Sequence, residues 1–241
     1  MSKFQQIAIE IEKYIKENSL QKGEKLPIID ELKAKFGVSK STILKSLDML
    51  ERKGVVYQVR GSGTFFRGQK PRGFVSLLSN QGLTNNLNDY KITSEVIKFC
   101  TSKPTQEVAH HLNIGMDNEL YCVKRIRYLN EEALSLEESF FNKSIVMYLN
   151  NEIVTGSIFR YIKNGLGLKL GFSDRYLHVD KLSAEEANYL GLEQGEPKLK
   201  VETIYHLKNG QPFVFSKINY SYKQSKFFLQ THNDSFEVTH A

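Results

Sequence analysis

Two arginines, Arg125 and Arg127, stand two residues apart in a run of aliphatic and aromatic residues that predicts a β-strand. Alternate side chains of a strand point to the same face, so the two guanidinium groups would lie side by side and repel each other. A small anion between them would remove that repulsion, because a guanidinium group binds phosphate or carboxylate through paired hydrogen bonds. Glu137 and Glu138 on the following strand would do the same. The residues alone leave both interpretations open, an anion site or a cluster of structural ion pairs.

A second set of polar residues stands at the start of a predicted helix. Ser39 is a good N-cap, and the residues after it combine hydroxyl groups with cations. A helix N-terminus carries a partial positive charge that attracts phosphate, and side chains there can reach base edges in a DNA major groove. The candidate DNA-contacting residues of this helix are Lys40, Ser41, Thr42 and Lys45.

A glycine-rich turn with a cationic tip follows that helix. Two short runs of β-branched and aromatic residues, 55–59 and 64–66, flank the turn and predict a hairpin. The two glycines permit the positive φ angles of a tight turn and a close backbone approach to a partner. Such a hairpin would be a wing that touches the DNA backbone or minor groove. Its candidate residues are Arg60, Gly61, Ser62, Gly63 and Thr64.

Three amphipathic helices must position these two groups. Apolar residues recur at spacings of three and four, as on the buried face of a helix. Leu26 and Pro27 are expected to lead into the second helix, with Pro27 near its first turn, and Gly54 is expected at the end of the third helix. A short turn at Gly37 makes the second and third helices a helix-turn-helix. The three apolar stripes are Phe4, Ile7, Ala8, Ile11 and Ile15; Ile29, Leu32 and Phe36; and Ile43, Leu47 and Leu50.

The formal net charge of +6 is concentrated in the N-terminal part of the chain. The first 70 of the 241 residues carry 14 Lys and Arg against 8 Asp and Glu, and the remaining residues carry 19 of each kind. This asymmetry indicates a basic module joined to a neutral one. It favours nucleic acid as the partner of the first module.

The sequence lacks the motifs that are typical of several other classes of protein. Cys100 and Cys122 form no C-x-x-C pair, and the six histidines fall in no metal-ligand pattern. No P-loop, dinucleotide fingerprint or G-x-S-x-G motif occurs. The first residues lack the apolar segment of a signal peptide, and no apolar run approaches the roughly 20 residues that span a bilayer. We therefore expect a cytoplasmic protein that is not an enzyme, with no cofactor, metal or membrane partner.

The chain beyond residue 73 contains an internal repeat with a constant offset of 78 residues. Each copy predicts a short helix, a strand, a turn and a second strand, which together indicate an antiparallel sheet in an α+β domain. A further helix is predicted over residues 157–164, between the copies. The matching residues are Ala109, Leu112, Ile114, Val123, Ile126 and Leu129, followed by Ala187, Leu190, Leu192, Val201, Ile204 and Leu207.

The run KLPIIDELKAKFGVSKSTILKSLDMLERKGVVYQVRGSGTFF, residues 25–66, resembles the N-terminal winged-helix domain of the GntR family of bacterial transcription regulators. The resemblance implies that the helix and wing residues named above contact operator DNA. Ile28 and Asp30 depart from the family pattern, because they stand where a small residue and a DNA-contacting arginine are usual. The resemblance therefore implies double-stranded DNA as a partner without implying the family's usual operator sequence.

The region from about residue 71 to residue 222 resembles the UTRA domain of the HutC subfamily, which binds effectors and has a chorismate-lyase-like fold. By similarity to members that sense sugar phosphates, Arg125 and Arg127 would hold the anion, and Glu137 would accept hydrogen bonds from hydroxyl groups. Phenylalanine replaces a usual tyrosine at position 159. The other effector-binding residues that the resemblance implies are Thr84, Ser157, Phe159 and Tyr220.

Together these observations predict a winged helix at 1–67, a linker at 68–73, a UTRA-like effector-binding and dimerisation domain at 74–230, and a tail at 231–241. The predicted function is that of a homodimeric, sequence-specific repressor that a small anion such as a sugar phosphate releases from its operator. Two alternatives stay open. In the first, the second domain only dimerises and binds no effector. In the second, that domain is a lyase-like enzyme.

Overall fold

The computed structural model describes residues 2–68, 73–77 and 90–229. The chain divides into two compact units near residue 71. Most of the predicted linker, 68–73, and the predicted tail, 231–241, lie outside the described residues. The domain boundaries taken from the sequence therefore stay a prediction.

The first unit is a three-helix domain with a β-hairpin, as the sequence predicts. Its two strands pair antiparallel, with Val56 opposite Phe66 and Val59 opposite Gly63. The predicted apolar stripes supply the core, in which Ile11, Leu32 and Ile43 are completely buried. The elements are α1 (Lys3–Glu17), α2 (Ile29–Phe36), α3 (Lys40–Arg52), β1 (Val56–Val59) and β2 (Gly63–Phe66).

Helix α2 begins close to Pro27, as the sequence predicts. Its N-cap is Ile28, so Pro27 precedes the helix and does not lie in its first turn. The carboxylate of Glu31 accepts a hydrogen bond of 3.0 Å from the Ile28 N–H. That contact satisfies one of the free N–H groups at the helix start, and it explains why the helix begins after the proline.

The second unit is a six-stranded sheet in which all neighbouring strands are antiparallel. The strand order is β3-β4-β5-β8-β7-β6. Its strands are β3 (Ile92–Ser102), β4 (Leu120–Leu129), β5 (Glu132–Asn142), β6 (Leu170–Lys181), β7 (Pro197–Leu207) and β8 (Pro212–Ser221). Its helices are α4 (Gln106–Leu112), α5 (Asn151–Thr155), α6 (Ile158–Asn164) and α7 (Ala184–Leu190).

The internal repeat is a β-α-β-β unit that occurs twice. The first copy runs from β3 to β5 and the second from β6 to β8, and pairing of β5 with β8 joins them into one sheet. Each copy therefore has one more strand than the sequence analysis assigned to it. Strand β6 was missed because its side chains are partly or fully exposed along its whole length and show no clean apolar alternation.

The two faces of this sheet are covered by different helices. Helices α5 and α6 pack on the face that carries Val123 and Phe141. Helices α4 and α7 pack on the opposite face, where α4 contacts Phe215 and α7 contacts Leu136. Side-chain alternation places Arg125 and Arg127 on the same face as Val123, beside α5 and α6.

Candidate nucleic-acid interface and anion pocket

The start of α3 presents a polar, cationic surface. Lys40, Ser41 and Lys45 are exposed, while Thr42 is half-buried. The Ser39 hydroxyl accepts a hydrogen bond of 3.3 Å from the Thr42 N–H and lies 2.9 Å from the Thr42 hydroxyl. Ser39 is thus the predicted N-cap, and it fixes the first turn of α3 with the two lysines facing solvent.

The hairpin tip is exposed and shaped by glycine. Gly63 has a φ of +121°, and a Cβ atom there would lie 2.7 Å from Cε of Lys25. The positive φ favours glycine at this position, while the Lys25 side chain is flexible and could move away from a Cβ atom. Thr64 differs from the other tip residues, because its side chain is only 8% exposed and its carbonyl accepts a hydrogen bond from the Leu26 N–H. The exposed tip residues are Arg60, Gly61, Ser62 and Gly63.

The two positions that depart from the family pattern lie at the start of α2. Ile28 is 54% exposed. The Asp30 carboxylate lies 3.0 Å from Nζ of Lys33, and this hydrogen bond and its charge lower the pKa of Asp30. Asp30 therefore stays ionised, and the ion pair with Lys33 partly offsets the repulsion it would exert on a DNA phosphate.

In the second unit, one pocket brings together all the predicted effector residues that the structure describes. The pocket has about 660 Å³ of space between its lining atoms, including space open to solvent. Thr84, the remaining predicted residue, lies outside the described residues. The predicted residues that line the pocket are Arg125, Arg127, Glu137, Ser157, Phe159 and Tyr220.

Arg125 is held by several acceptors at once. Its Nε and Nη2 donate to the two carboxylate oxygens of Glu137 at 3.0 and 3.2 Å. Its Nη1 donates to the carbonyls of Val154 at 2.7 Å and Gly156 at 3.2 Å. The ion-pair interpretation therefore holds for Arg125 and Glu137. It fails for Glu138, which lies on the opposite face because neighbouring strand residues alternate.

Glu137 is ionised, and its carboxylate accepts hydrogen bonds from several donors. Burial would raise its pKa, but the charges of Arg125 and Arg127 and a hydrogen bond from Ser139 lower it. The Ser139 hydroxyl donates to Glu137 at 3.0 Å and lies 2.7 Å from the Ser216 hydroxyl. The Glu137 carboxylate is thus part of a buried polar network, which leaves it less accepting capacity for ligand hydroxyls than the sequence analysis expected.

Arg127 has a different environment from Arg125. It is 3% exposed, and its Nη1 donates to the Ser94 hydroxyl at 2.8 Å. Burial and the neighbouring charge of Arg125 lower the pKa of Arg127 to about 10. The guanidinium group therefore remains charged at neutral pH.

The other predicted residues that line the pocket are Ser157, Phe159 and Tyr220. Ser157 is the N-cap residue of α6, although its hydroxyl makes no capping hydrogen bond there. The ring of Phe159 packs on Tyr205 with 4.5 Å between the ring centroids. Burial raises the pKa of Tyr220, so that its hydroxyl is neutral and able both to donate and to accept.

The pocket also contains polar residues that the sequence analysis did not assign. Arg175 of β6 lies opposite Thr203 of β7, with its guanidinium carbon 5.9 Å from the ring centroid of Tyr205. Ser135 of β5 is 1% exposed. Ser135 could have been found because it shares a strand face with Glu137. Arg175 could have been found by applying the 78-residue offset to β3, which predicts β6.

Cationic and hydroxyl-bearing side chains predominate in the described lining of this pocket. That lining contains the guanidinium groups of Arg125, Arg127 and Arg175 and the carboxylate of Glu137. The other polar side chains of the same lining are hydroxyl-bearing. The arrangement can therefore bind an anion.

A helix-turn-helix with a β-hairpin wing, joined to a sheet domain that encloses a cationic pocket, defines the class of two-domain, winged-helix transcription regulators. Two family models match the chain, "Bacterial regulatory proteins, gntR family" over residues 3–66 and "UTRA domain" over residues 88–224. The chain belongs to the GntR family of bacterial regulatory proteins and carries a UTRA domain. It is a transcription regulator and not an enzyme.

Regulators from Bacillus subtilis (strain 168) are similar to this chain along most of its length. The "Uncharacterized HTH-type transcriptional regulator YydK" is 59% identical, covering 97% of this chain and 99% of that protein. The crystal structure of YydK has a TM-score of 0.88 and covers 96% of this chain and all of that one. GmuR is 33% identical over 99% of this chain and 98% of its own length. The "transcriptional repressor NagR" is 28% identical over 90% and 89%.

Regulators of this family bind operator DNA, and UTRA domains bind small-molecule effectors. Within the described part of the chain, no helix is long and apolar enough to cross a membrane. The same residues contain no cluster of His, Cys, Asp and Glu that could hold a metal ion.

Proposed function

We propose that this protein is a homodimeric repressor that binds its operator through the winged helix and leaves it when a small anion, such as a sugar phosphate, occupies the pocket. The observation that carries the proposal is the cluster of guanidinium groups in the described lining of the pocket, those of Arg125, Arg127 and Arg175. Guanidinium groups bind phosphate and carboxylate through paired hydrogen bonds, so an anionic ligand would be stabilised there.

The hydroxyl groups of the pocket suit a sugar. Hydroxyls both donate and accept, and they match the alternating donors and acceptors of a carbohydrate. The described hydroxyl-bearing residues of the pocket are Ser76, Ser135, Ser157, Thr203, Tyr205 and Tyr220.

The winged helix supplies the DNA-binding half of the proposal. Exposed lysines at the start of α3 and the exposed cationic hairpin tip would contact one DNA half-site, with Thr42 and Thr64 contributing mainly through the backbone because their side chains are less accessible. Winged helices of this kind read two half-sites as dimers, which supports a homodimer. The name of the relative NagR supports a repressor.

Effector binding and DNA binding would be linked by a coupling free energy. Such couplings are typically about 1–3 kcal/mol, or a change of roughly 5–150-fold in affinity. The linkage must be reciprocal, so that operator DNA weakens effector binding by the same factor.

The test is a fluorescence-anisotropy titration of a labelled DNA fragment taken from upstream of the protein's own gene. We expect tight binding that weakens steeply with salt, and at least a fivefold loss of affinity with one member of a panel of sugar phosphates. The matching unphosphorylated sugars are the control. Binding that no phosphorylated compound alters would contradict the effector half, and the absence of DNA binding at low salt would contradict the regulator half.

A further inference from the structure

One face of α3, a helix that the structure describes in full, combines polar side chains with an exposed apolar one. The exposed residues up to Asp48 are Lys40, Ser41, Leu44, Lys45 and Asp48. Leu44 is 41% exposed and is the apolar member of this set, whereas the apolar stripe of the same helix is buried. The Leu44 side chain is therefore accessible to a partner that approaches this face.

Leu44 lies on the surface that the candidate DNA-contacting residues of α3 form. It is four residues after Lys40 and three after Ser41. Side chains at these spacings are neighbours on a helix, with about 5–6 Å between their Cβ atoms. In a helix-turn-helix, the N-terminal residues of the second helix contact base edges in the major groove. Leu44 therefore extends the recognition surface by one turn of the helix.

The hydroxyl groups of this helix are largely engaged within the domain. The hydroxyl oxygens of Thr42 and Ser41 lie 2.9 and 3.0 Å from that of Ser39. The Ser46 hydroxyl lies 2.9 Å from the Phe4 carbonyl oxygen and 2.8 Å from the Thr42 carbonyl oxygen. These contacts leave few free hydroxyl groups for hydrogen bonds to bases, so Leu44 and the lysines provide most of the accessible contact surface.

The side-chain chemistry of α3 fits thymine. Arginine recognises guanine through two hydrogen bonds, and asparagine or glutamine recognises adenine in the same way. Residues 40–51 contain no arginine, asparagine or glutamine. Thymine presents a methyl group in the major groove, and an apolar side chain recognises it by direct contact. An accessible leucine on this face can therefore distinguish thymine from the other bases.

We propose that Leu44 is a specificity-determining residue that contacts the methyl group of a thymine in each operator half-site. This inference rests on the proposed function, because it assigns a role within the same DNA-binding surface. The contact removes apolar surface of both groups from water, which stabilises the complex. Because neither group is charged, its contribution should not depend on salt, in contrast to the contacts of lysine with phosphate.

The test begins with the DNA sequence that the full wild-type chain selects from a library of randomised duplexes. Each thymine of the selected half-site is then replaced in turn by uracil, which pairs with adenine in the same way but lacks the methyl group. Fluorescence anisotropy measures the affinity of the wild type and of Leu44→Ala for each duplex. Ile9→Ala is the matched control, because Ile9 is 47% exposed and lies on α1, outside the helix-turn-helix.

At one thymine, we expect uracil to weaken binding by the wild type about fourfold, because one apolar carbon returns to water. The same replacement should weaken Leu44→Ala less than twofold, because alanine is too short to reach the methyl group. This difference between the two proteins measures the coupling of Leu44 to that methyl group. Ile9→Ala should respond to uracil as the wild type does.

Two further measurements separate base recognition from a structural role. Leu44→Ala should bind the selected duplex more weakly but keep the thermal unfolding midpoint of the wild type, its affinity for non-specific DNA and its slope of log K against log salt. Leu44→Arg, applied to the same randomised library, should select guanine in place of the thymine.

The outcomes distinguish this inference from the proposed function. Failure of the wild type to bind any duplex at low salt would overturn the regulator function itself. Equal effects of uracil on the wild type and on Leu44→Ala, or a selected sequence without thymine, would overturn this inference and leave the proposed function standing. Retention of thymine by Leu44→Arg, or an equal loss of specific and non-specific affinity in Leu44→Ala, would overturn it as well.

Discussion

The cations of the winged helix and the cations of the pocket occupy opposite environments. Lys40, Lys45 and Arg60 stand in solvent, whereas Arg125 and Arg127 are buried at 5% and 3% exposure. An exposed charge is screened by water and salt and costs the fold little. A buried charge must be compensated nearby. The exposed cations of the first unit are therefore accessible to DNA, while the buried guanidinium group of Arg125 is paired with the Glu137 carboxylate.

Glu137→Ala should have the largest effect on stability. It leaves the Arg125 guanidinium buried without its carboxylate, and loss of one partner of a buried pair typically costs about 3–5 kcal/mol. Urea unfolding at neutral pH measures the change. Lys91→Ala, which breaks an ion pair whose side chains are 70% and 84% exposed, is the matched control and should stay within about 0.5 kcal/mol. Similar small losses of unfolding free energy in both variants would contradict the difference between buried and exposed charges.

Gly63→Ala should have the next largest effect on stability, and this effect should be confined to the wing. The φ of +121° is strained for any residue with a Cβ, and the new methyl group would meet Lys25. We expect a loss of about 1–3 kcal/mol in the stability of the first domain, together with weaker DNA binding. Ser62→Ala, at the neighbouring position of the same turn, should leave stability unchanged. Wild-type stability in Gly63→Ala would show that the hairpin tip is not fixed as described.

The pH dependence of stability tests whether the charge of the Glu137 carboxylate stabilises the folded protein. The folded-state pKa of this carboxyl is lowered relative to the unfolded chain, so its stabilising effect is present above the ordinary pKa of about 4.5 and is lost as the pH falls through the folded-state value. The difference in unfolding free energy between wild type and Glu137→Gln should therefore shrink from pH 7 to pH 3. A constant difference over that range would mean that the carboxylate charge contributes nothing.

Lys45→Ala should have the smallest effect on stability and a clear one on DNA binding. Loss of one phosphate contact should weaken binding about equally for specific and non-specific DNA, and should reduce the slope of log K against log salt by about one. The unfolding free energy should change by less than about 0.5 kcal/mol. Lys13→Ala on α1, which is also exposed and is not among the candidate DNA-contacting residues, serves as the control. An unchanged slope of log K against log salt in Lys45→Ala would show that Lys45 makes no contact with a DNA phosphate.

The two regions also differ in how far the sequence predicts them. The cap at Ser39, the stripe of α3 and the turn at Gly63 depend on residues close together in the chain, so local spacing was enough to find them. The pocket depends on pairing between β5 and β8, which places Ser135 beside Tyr220. No local pattern encodes that pairing.

The errors have the same physical origin. Glu138 was paired with the arginines because it is next to Glu137 in sequence, but strand alternation sends it to the other face. Arg175 was overlooked because β6 has few buried apolar residues to mark it as a strand.

The most direct test of the account is the DNA affinity of Arg127→Gln and of Lys45→Ala, each measured with and without glucose 6-phosphate or whichever phosphorylated sugar releases the wild type. We predict that Arg127→Gln binds the operator fragment as tightly as the wild type but is no longer released by the sugar phosphate. Lys45→Ala should bind more weakly and still be released by the same factor. Release that persists in Arg127→Gln, with unchanged effector affinity, would contradict the division between a DNA-binding surface of exposed cations and an effector pocket of buried ones.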